Sequence, residues 1–208
     1  MASTHRAALS HLRNVDPILA RIIARVGAPP PPPRPTGTHY DALMRAIIYQ
    51  QLSGKAAGTI HRRFCALYPR NRPRAELVLA TSDDALRGAG LSRQKIGYLR
   101  DLSAKVADGS LPLAHLGRLP DDEIIAHLTQ VKGIGRWTAQ MFLSFRLGRP
   151  DVLPELDLGI QNAMHRAYGL KKRPLPKDVL RLGEKWHPHA SLACWYMWRS
   201  LENGDGQC

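Results

Sequence analysis

Apolar residues recur at the spacing of an α-helix along almost the whole chain. Residues 18–26 show this pattern clearly: Asp16 and Pro17 before them are typical of a helix start, and Gly27 after them is typical of a helix end. Ser53 is predicted to cap another helix. We find no β-hairpin signal and no internal repeat, so the sequence predicts an all-α fold. Further helices are expected over residues 40–50, 54–67, 83–88, 96–106, 122–128, 135–147, 158–168, 177–186 and 190–202.

The chain is strongly basic. Its 208 residues include 30 Lys and Arg against 17 Asp and Glu, a formal charge of +13. Such an excess is typical of proteins that bind a polyanion, although a basic protein without such a partner remains an alternative. No run of five or more like charges occurs, so the excess belongs to folded segments rather than to a tail.

The cysteines argue for a reducing compartment. Cys65, Cys194 and Cys208 are odd in number and form no C-x-x-C pair, which argues against a disulfide framework or a four-cysteine iron–sulfur cluster. No apolar run reaches the roughly 18 residues of a membrane span, so no membrane partner is expected. The N-terminal segment lacks the apolar core of a signal peptide, while its basic, acid-poor composition leaves a transit peptide open.

The segment VKGIGRW lies between two helical patterns. Gly133 and Gly135 bracket one apolar residue, Ile134, and Lys132 and Arg136 flank the turn. Glycines allow the tight backbone of a short helix–helix connection, and their N–H groups can approach an anion closely. The segment therefore predicts a phosphate-binding hairpin that reads no base sequence. The alternative is an ordinary corner between helices with a glycine cap.

Several blocks of the chain resemble one enzyme superfamily. LTQVKGIGRWTAQMF resembles the helix-hairpin-helix of the DNA glycosylase superfamily named for that motif and its Gly/Pro-rich loop and Asp (HhH-GPD). GIGRWTA and LPELDLGIQ resemble its 3-methyladenine DNA glycosylase II family, as do AIIYQQLSGKAA and WHPHASLACWYMWR, in the same order. The resemblance covers most of residues 39–200. It implies an enzyme that acts on double-stranded DNA with a damaged base and needs no cofactor. It also implies residence near the nucleoid in a bacterium or in the nucleus of a eukaryote. The oligomeric state is not readable from the sequence, but one enzyme acting on one lesion needs only a monomer, so a monomer is expected.

The resemblance also implies an architecture. The whole chain would form one glycosylase domain of two packed helical subdomains, with the active-site cleft between them. Residues 39–118 would form the central subdomain, and residues 1–28 with 119–208 the subdomain that contains the hairpin. Residues 29–37, which include five consecutive prolines, would form an extended linker.

Base excision needs an anionic group near the sugar. Breaking an N-glycosidic bond develops positive charge at C1′, which a carboxylate stabilises, and a carboxylate can also orient the attacking water. The residues alone leave Asp151, Glu155 and Asp157 open as candidates. Asp157 matches the family's catalytic aspartate, and it also lies where an N-cap would. Leu156 departs from the many members that carry an acid just before the catalytic one.

Trp137 separates two mechanistic subclasses. Relatives that also cut the DNA strand carry a nucleophilic lysine at this place after the hairpin, whereas a tryptophan cannot form a Schiff base. The resemblance therefore implies a monofunctional enzyme that uses water. The DNA-binding residues that it implies are Lys132, Gly133, Ile134, Gly135, Arg136 and Thr138.

A base must leave the duplex before it can be excised, so the enzyme needs an aromatic receptor and a residue that fills the gap. Trp137 and Trp198 match the family's aromatic pocket positions, and Met141 is expected on the same wall. Gln51, with Leu52 second, matches the intercalating wedge, although a polar turn between helices explains both equally well. The histidines form no ligand-like cluster, so no catalytic metal is expected. The resemblance permits a monovalent cation at the 131–135 carbonyls.

Three functions stay open. The first is excision of alkylated purines, chiefly 3-methyladenine, with 7-methylguanine as a further candidate. The second keeps the fold and changes the base to uracil, hypoxanthine or 1-methyladenine. The third is a non-catalytic helix-hairpin-helix protein that binds DNA, which explains the charge and the glycines but not the spacing to Asp157.

Overall fold

The computed structural model describes residues 2–30 and 35–202, and within them every regular element is helical. The predicted all-α class is therefore confirmed, and no helix among these residues is both long and apolar enough to cross a bilayer. The helices are α1 (Ala2–Val15), α2 (Pro17–Val26), α3 (His39–Tyr49), α4 (Gly54–Ala66), α5 (Ala75–Ala80), α6 (Asp83–Gly88), α7 (Arg93–Ala107), α8 (Asp121–Thr129), α9 (Arg136–Met141), α10 (Leu158–Ala167), α11 (Pro176–Gly183) and α12 (Ala190–Glu202). A π-helical turn occupies Phe142–Arg146, and 3₁₀ turns occupy Pro69–Asn71, Leu116–Arg118 and Glu184–Trp186.

Most predicted helices occur where the sequence places them. α2 begins after Asp16 and ends at Gly27, and the Ser53 hydroxyl accepts a hydrogen bond from the first turn of α4. The helix expected over 135–147 is shorter, because α9 gives way to the π-helical turn. Likewise, α11 ends at Gly183 and a 3₁₀ turn follows. The sequence patterns missed α1 and α5.

The chain divides into two compact units. We call residues 1–34 with 143–208 the terminal unit, and residues 35–142 the central unit. This division differs from the expected one, which ended the central subdomain at residue 118. Residues 31–34 of the expected proline-rich linker lie outside the described residues, as does Cys208.

Contacts of the hairpin explain the difference in the boundary. The Lys132 N–H donates to an Asp101 carboxylate oxygen at 2.9 Å, and the Gln50 side-chain amide donates to the Gly133 carbonyl at 2.8 Å. Asp101 lies in α7, and Gln50 is the C-cap of α3. The hairpin between α8 and α9 therefore groups with the central helices.

Each unit has its own apolar core. In the central unit, α3 packs on α4 and α7, and α5 packs on α7. In the terminal unit, α12 packs on α2 and α10, while α1 packs on α2. The buried side chains of the central core include Leu43, Ile47, Phe64, Val78, Leu86, Leu99 and Leu102, and those of the terminal core include Leu12, Leu19, Ile23, Met164, Trp186, Tyr196 and Met197.

Asp16 is fully buried in the terminal unit and is the N-cap of α2. Burial alone would raise the pKa of its carboxyl. Hydrogen bonds and the nearby Lys185 ammonium outweigh that effect, so the pKa lies below its usual value. The donors to its two oxygens are the N–H groups of Ile18 (3.0 Å) and Leu19 (3.1 Å), the Tyr168 hydroxyl, the Trp186 indole (2.9 Å) and the Lys185 ammonium (3.2 Å).

We predict that Asp16→Asn lowers the free energy of unfolding by about 3 kcal/mol at pH 7, since an amide cannot accept from all of these donors. Because the folded-state pKa is lowered, the aspartate contributes its stabilisation fully above about pH 5 and loses it as the pH falls through the folded-state value. Denaturant unfolding from pH 7 to pH 3 measures the difference between wild type and variant, which should shrink at low pH. Asp84→Asn, at an exposed acid of α6, is the control. A difference that persists unchanged at pH 3 would contradict this account.

Candidate functional site

Asp157 is the N-cap of α10 and is 8% exposed. Its Oδ1 accepts hydrogen bonds from the Ile160 N–H at 2.8 Å and from the Trp198 indole N–H at 2.9 Å. Capping and the predicted catalytic role thus fall on the same side chain. The two donors fix the orientation of the carboxylate, which is what a group acting on a neighbouring molecule requires.

An aromatic and apolar surface adjoins this carboxylate. The Phe145 ring lies 5.6 Å from the Trp198 ring, centroid to centroid, with 33° between their planes. Phe145 is 62% exposed, and the neighbours of Asp157 in sequence, Leu156 and Leu158, are also exposed. Trp198 is half-buried, so the exposed aromatic surface is that of Phe145. An exposed aromatic ring beside a polar anchor is typical of small-molecule and base receptors.

Sequence reasoning missed Phe145. It lies in the π-helical turn Phe142–Arg146, whereas the apolar pattern predicted a regular helix there. No residue type in that segment signals a π turn, although such turns are frequent at functional sites. Trp186 is buried in the terminal core, and Trp195 and Trp198 both lie partly buried against it.

Gly159 is a second residue that sequence reasoning missed. A Cβ atom at this position would lie 2.9 Å from Asp157 Oδ1, 3.0 Å from Trp198 Cδ1 and 3.1 Å from Trp198 Nε1. The hydrogen bond between the carboxylate and the indole therefore requires a residue without a side chain here. The signal was present in the block LPELDLGIQ, as a glycine two residues after the aspartate.

The other two acids have different surroundings. Asp151 accepts from the His187 ring at 2.8 Å and from the Ala190 N–H at 3.1 Å, so it holds the start of α12. Glu155 is 7% exposed, and its main-chain carbonyl accepts from the Gln161 side chain at 3.0 Å. Asp157, by contrast, is hydrogen-bonded to Trp198, one ring of the aromatic pair.

Cys194 lies behind this site and is fully buried. Burial raises the pKa of its thiol, and the carboxylates of Asp157 and Asp151 raise it further. The thiol is therefore neutral and unreactive, and its Sγ lies 3.8 Å from the Val152 carbonyl.

The hairpin joins α8 to α9 in the central unit. Val131 and Ile134 are buried, and the Ile134 N–H donates to the Val131 carbonyl at 3.0 Å. Gly133 has a φ of +84°, in the region that favours glycine. A Cβ there would lie 2.5 Å from Tyr98 Cε2, so the ring of that tyrosine also excludes a side chain.

Gly135 differs from Gly133. It is exposed, has a φ of −91°, and a Cβ built on it would meet nothing within 4 Å. Packing and backbone conformation therefore do not require a glycine at this position. Gly135 is the N-cap of α9, a position where glycine is favoured, and its main chain is accessible from outside.

The side chains predicted to contact DNA are placed unequally. Lys132, Arg136 and Trp137 are exposed, the last at 42%, whereas Thr138 is only 8% exposed and offers little side-chain surface. Met141 is half-buried at the end of α9. Trp137 and Met141 belong to the central unit and Trp198 to the terminal unit, so the shared base pocket stays a prediction.

The predicted wedge lies in the turn between α3 and α4. Gln51 has a φ of +57°, a left-handed conformation that is uncommon for a residue with a side chain. Gln51 is exposed, Leu52 is 40% exposed, and Ser53 then caps α4. The turn therefore presents both candidate wedge residues to solvent, and the choice between them stays a prediction.

Among the described residues, no group of three or more His, Cys, Asp or Glu side chains could hold a metal ion. The monovalent cation at the hairpin carbonyls stays a prediction. Two of those carbonyls already accept hydrogen bonds: that of Val131 from the Ile134 N–H, and that of Gly133 from the Gln50 side chain.

Comparison with known proteins places this chain in a family. Residues 44–189 match the model of the HhH-GPD superfamily of base excision DNA repair proteins. DNA-3-methyladenine glycosylase 1 of Schizosaccharomyces pombe is 36% identical over 168 residues, which are 80% of this chain and 74% of that protein. A Bacillus subtilis relative is 35% identical over 169 residues, which are 78% of this chain but only 59% of the relative. The chain therefore belongs to the HhH-GPD superfamily.

Solved structures agree with this assignment. The S. pombe 3-methyladenine DNA glycosylase in complex with abasic DNA has a TM-score of 0.86 and 34% identity, covering 97% of this chain and 100% of that one. The DNA-3-methyladenine glycosidase of Bacillus halodurans has a TM-score of 0.83 and 35% identity, covering 93% and 88%. The all-helical architecture is thus shared along nearly the whole chain.

We predict that the two hairpin glycines respond differently to substitution. Gly133→Ala should lower the free energy of unfolding by about 2–4 kcal/mol, since it adds backbone strain at positive φ and overlap with the Tyr98 ring. Gly135→Ala should lower it by no more than about 1 kcal/mol, the scale of a weakened N-cap. Denaturant unfolding of both variants measures the contrast. Equal losses of unfolding free energy in the two variants would show that Tyr98 does not pack closely on Gly133.

Proposed function

We propose that this chain is a monofunctional DNA glycosylase that hydrolyses the N-glycosidic bond of alkylated purines in base excision repair. Its substrates are chiefly 3-methyladenine and also 7-methylguanine. The observation that carries the proposal is the Asp157 carboxylate, oriented by the Ile160 N–H and by the indole of the half-buried Trp198, on which the exposed Phe145 ring lies. The names of the S. pombe and B. halodurans relatives support the choice of alkylated purines.

The carboxylate would act on the sugar. As the bond between C1′ and the base nitrogen breaks, its electron pair leaves with the base and positive charge develops on the sugar. Asp157 stabilises that charge and orients a water molecule, whose oxygen bonds to C1′ and whose proton passes to the Asp157 carboxylate. An alkylated purine is already cationic, so it leaves as a neutral base without prior protonation and no second acid is needed.

The aromatic pair suits the leaving base. A base turned out of the duplex loses its stacking partners, and the faces of Trp198 and Phe145 can replace them. Aromatic faces also attract cations, which favours an alkylated purine over a neutral one. Selectivity then follows from the weak bond, the charge of the base and the stacking surface together.

Double-stranded DNA is the partner in this proposal. The hairpin offers main-chain N–H groups at Gly133 and Gly135, flanked by the exposed cations of Lys132 and Arg136. These contacts grip a phosphate without reading sequence, and the net charge of +13 attracts the duplex. One protein acting on one lesion needs no second copy, so we propose a monomer.

We predict that Asp157→Asn lowers the excision rate about a thousandfold, the scale of a lost electrostatic contact to the transition state. Affinity for a duplex with a non-hydrolysable abasic analogue should change less than about threefold, because asparagine also caps a helix. Single-turnover assays on duplexes that each carry one damaged base measure the rate. Asp178→Asn, at another aspartate of a helix start in the same unit, is the control.

Those assays also separate the alternatives. Release of uracil, hypoxanthine or 1-methyladenine in place of methylated purines would change the substrate and keep the mechanism. If the wild-type protein binds DNA but releases no base, the proposal of an enzyme is wrong and the chain is a non-catalytic DNA-binding protein.

We predict that the product strand stays intact. Trp137 occupies the position of the nucleophilic lysine, so no amine forms a Schiff base with the sugar. Borohydride should therefore trap no covalent complex, and the strand should break only after hot alkali. Covalent trapping of the wild-type protein would show that an amine, such as that of Lys132, acts as a nucleophile, and the monofunctional assignment would be wrong. Loss of that trapping in Lys132→Arg would identify the amine.

A further inference from the structure

The end of helix α3 is held by a lysine from α7. The Lys95 ammonium donates to the main-chain carbonyls of Ile48 at 2.6 Å and of Gln50 at 2.8 Å. The last carbonyls of a helix have no partner within the helix, and this side chain supplies one. Burial lowers the pKa of Lys95. A partly buried ammonium with two main-chain acceptors points to a required position rather than to a solvated surface charge.

Gln50 connects this helix end to the hairpin. Its side-chain amide donates to the Gly133 carbonyl at 2.8 Å, across 83 positions of sequence. Its main-chain carbonyl is one of the two that Lys95 binds. A single residue therefore joins the turn after α3 to the phosphate-binding hairpin.

The same face of α7 holds the hairpin directly. Lys95, Tyr98 and Asp101 follow one another at intervals of three residues and share a helix face. Tyr98 packs against Gly133, and the Asp101 carboxylate accepts from the Lys132 N–H at 2.9 Å. Helix α7 thus contacts both the turn at 50–53 and the hairpin at 131–135.

The tip of the turn is exposed and conformationally unusual. Gln51 holds a left-handed backbone conformation, and Leu52 follows it into solvent. Such a conformation persists only where the surrounding structure fixes both ends. Here Lys95 and Gln50 fix one end, and the Ser53 cap of α4 fixes the other.

We infer that Gln50 and Lys95 are positioning residues that hold the turn at 50–53 and the hairpin at 131–135 at one fixed separation on DNA. The inference rests on the proposed function, in which the hairpin grips a phosphate, and on the predicted wedge at Gln51 and Leu52, which would fill the gap left by a flipped base. With the separation preset, gripping the phosphate places the wedge at the lesion. Without it, both contacts form but no longer reinforce each other.

The test measures lesion preference, the ratio of affinities for two duplexes of equal length. One duplex carries a tetrahydrofuran abasic analogue, with 2-aminopurine opposite to report insertion by fluorescence, and the other is undamaged. Gln50→Met removes the amide donor at nearly constant volume. We expect its affinity for undamaged DNA within twofold of wild type and its lesion preference lowered about tenfold, with a smaller fluorescence change.

Matched controls isolate the effect. Gln130→Met makes the same chemical change at an exposed residue at the end of α8, and it should retain the wild-type preference. Lys95→Met should reproduce the loss seen with Gln50→Met, and Arg93→Met, which removes an exposed positive charge from the same helix, should not. Lys95→Arg should recover part of the preference. Thermal unfolding of each variant excludes global loss of structure.

Two results would overturn the inference: a Gln50→Met variant with wild-type preference, or one that loses affinity for both duplexes equally. The abasic analogue carries no glycosidic bond, so the measurement does not depend on excision. A wild-type protein that prefers the analogue yet releases no base would refute the proposed function alone. One that releases base while Gln50→Met keeps full preference would refute the inference alone.

Discussion

One carboxylate oxygen of Asp157 accepts two hydrogen bonds, from the first turn of α10 and from an indole 41 positions along the chain. The first bond fixes the backbone at the start of the helix, and the second fixes the aromatic ring beside the carboxylate. Gly159 must lack a side chain because both groups occupy the space where its Cβ would be. The geometry of the site is therefore a consequence of how α10 begins and where α12 packs. A change at Asp157, Gly159 or Trp198 would therefore disturb the positions of the other two residues.

The hairpin between α8 and α9 contains two glycines, Gly133 and Gly135, that look equivalent in sequence. Different structural constraints act on them. Gly133 is required by its positive φ and by the Tyr98 ring, which are demands of folding. Gly135 faces open space, so packing does not restrict the residue type. Gly135 is the N-cap of α9, where glycine is favoured, and in the proposed function its bare main chain also admits a phosphate closely.

Much of this was readable from local sequence. Asp16 caps α2 and Ser53 caps α4, as predicted. Such caps can be predicted because the side chain binds an N–H group only two or three residues further along the chain. Helix α5 was missed because it is six residues long and has no side-chain cap, and the π-helical turn was missed because no residue type encodes it. The hydrogen bond from Gln50 to Gly133 spans 83 positions, so nothing local could predict it. The choice of Asp157 came from family resemblance; local pattern left three acids open.

The proposed chemistry contains an apparent conflict, because a protein of charge +13 is asked to stabilise a positive charge on a sugar. Distance resolves it. Exposed charges are screened within about 8 Å at physiological ionic strength, so the overall excess acts mainly on the approach of the duplex and on contacts with its phosphates. Asp157 is 8% exposed and lies beside aromatic and apolar side chains, where water screens it less. Attraction of the polyanion and stabilisation of the cation are thus carried out at different ranges by charges of opposite sign.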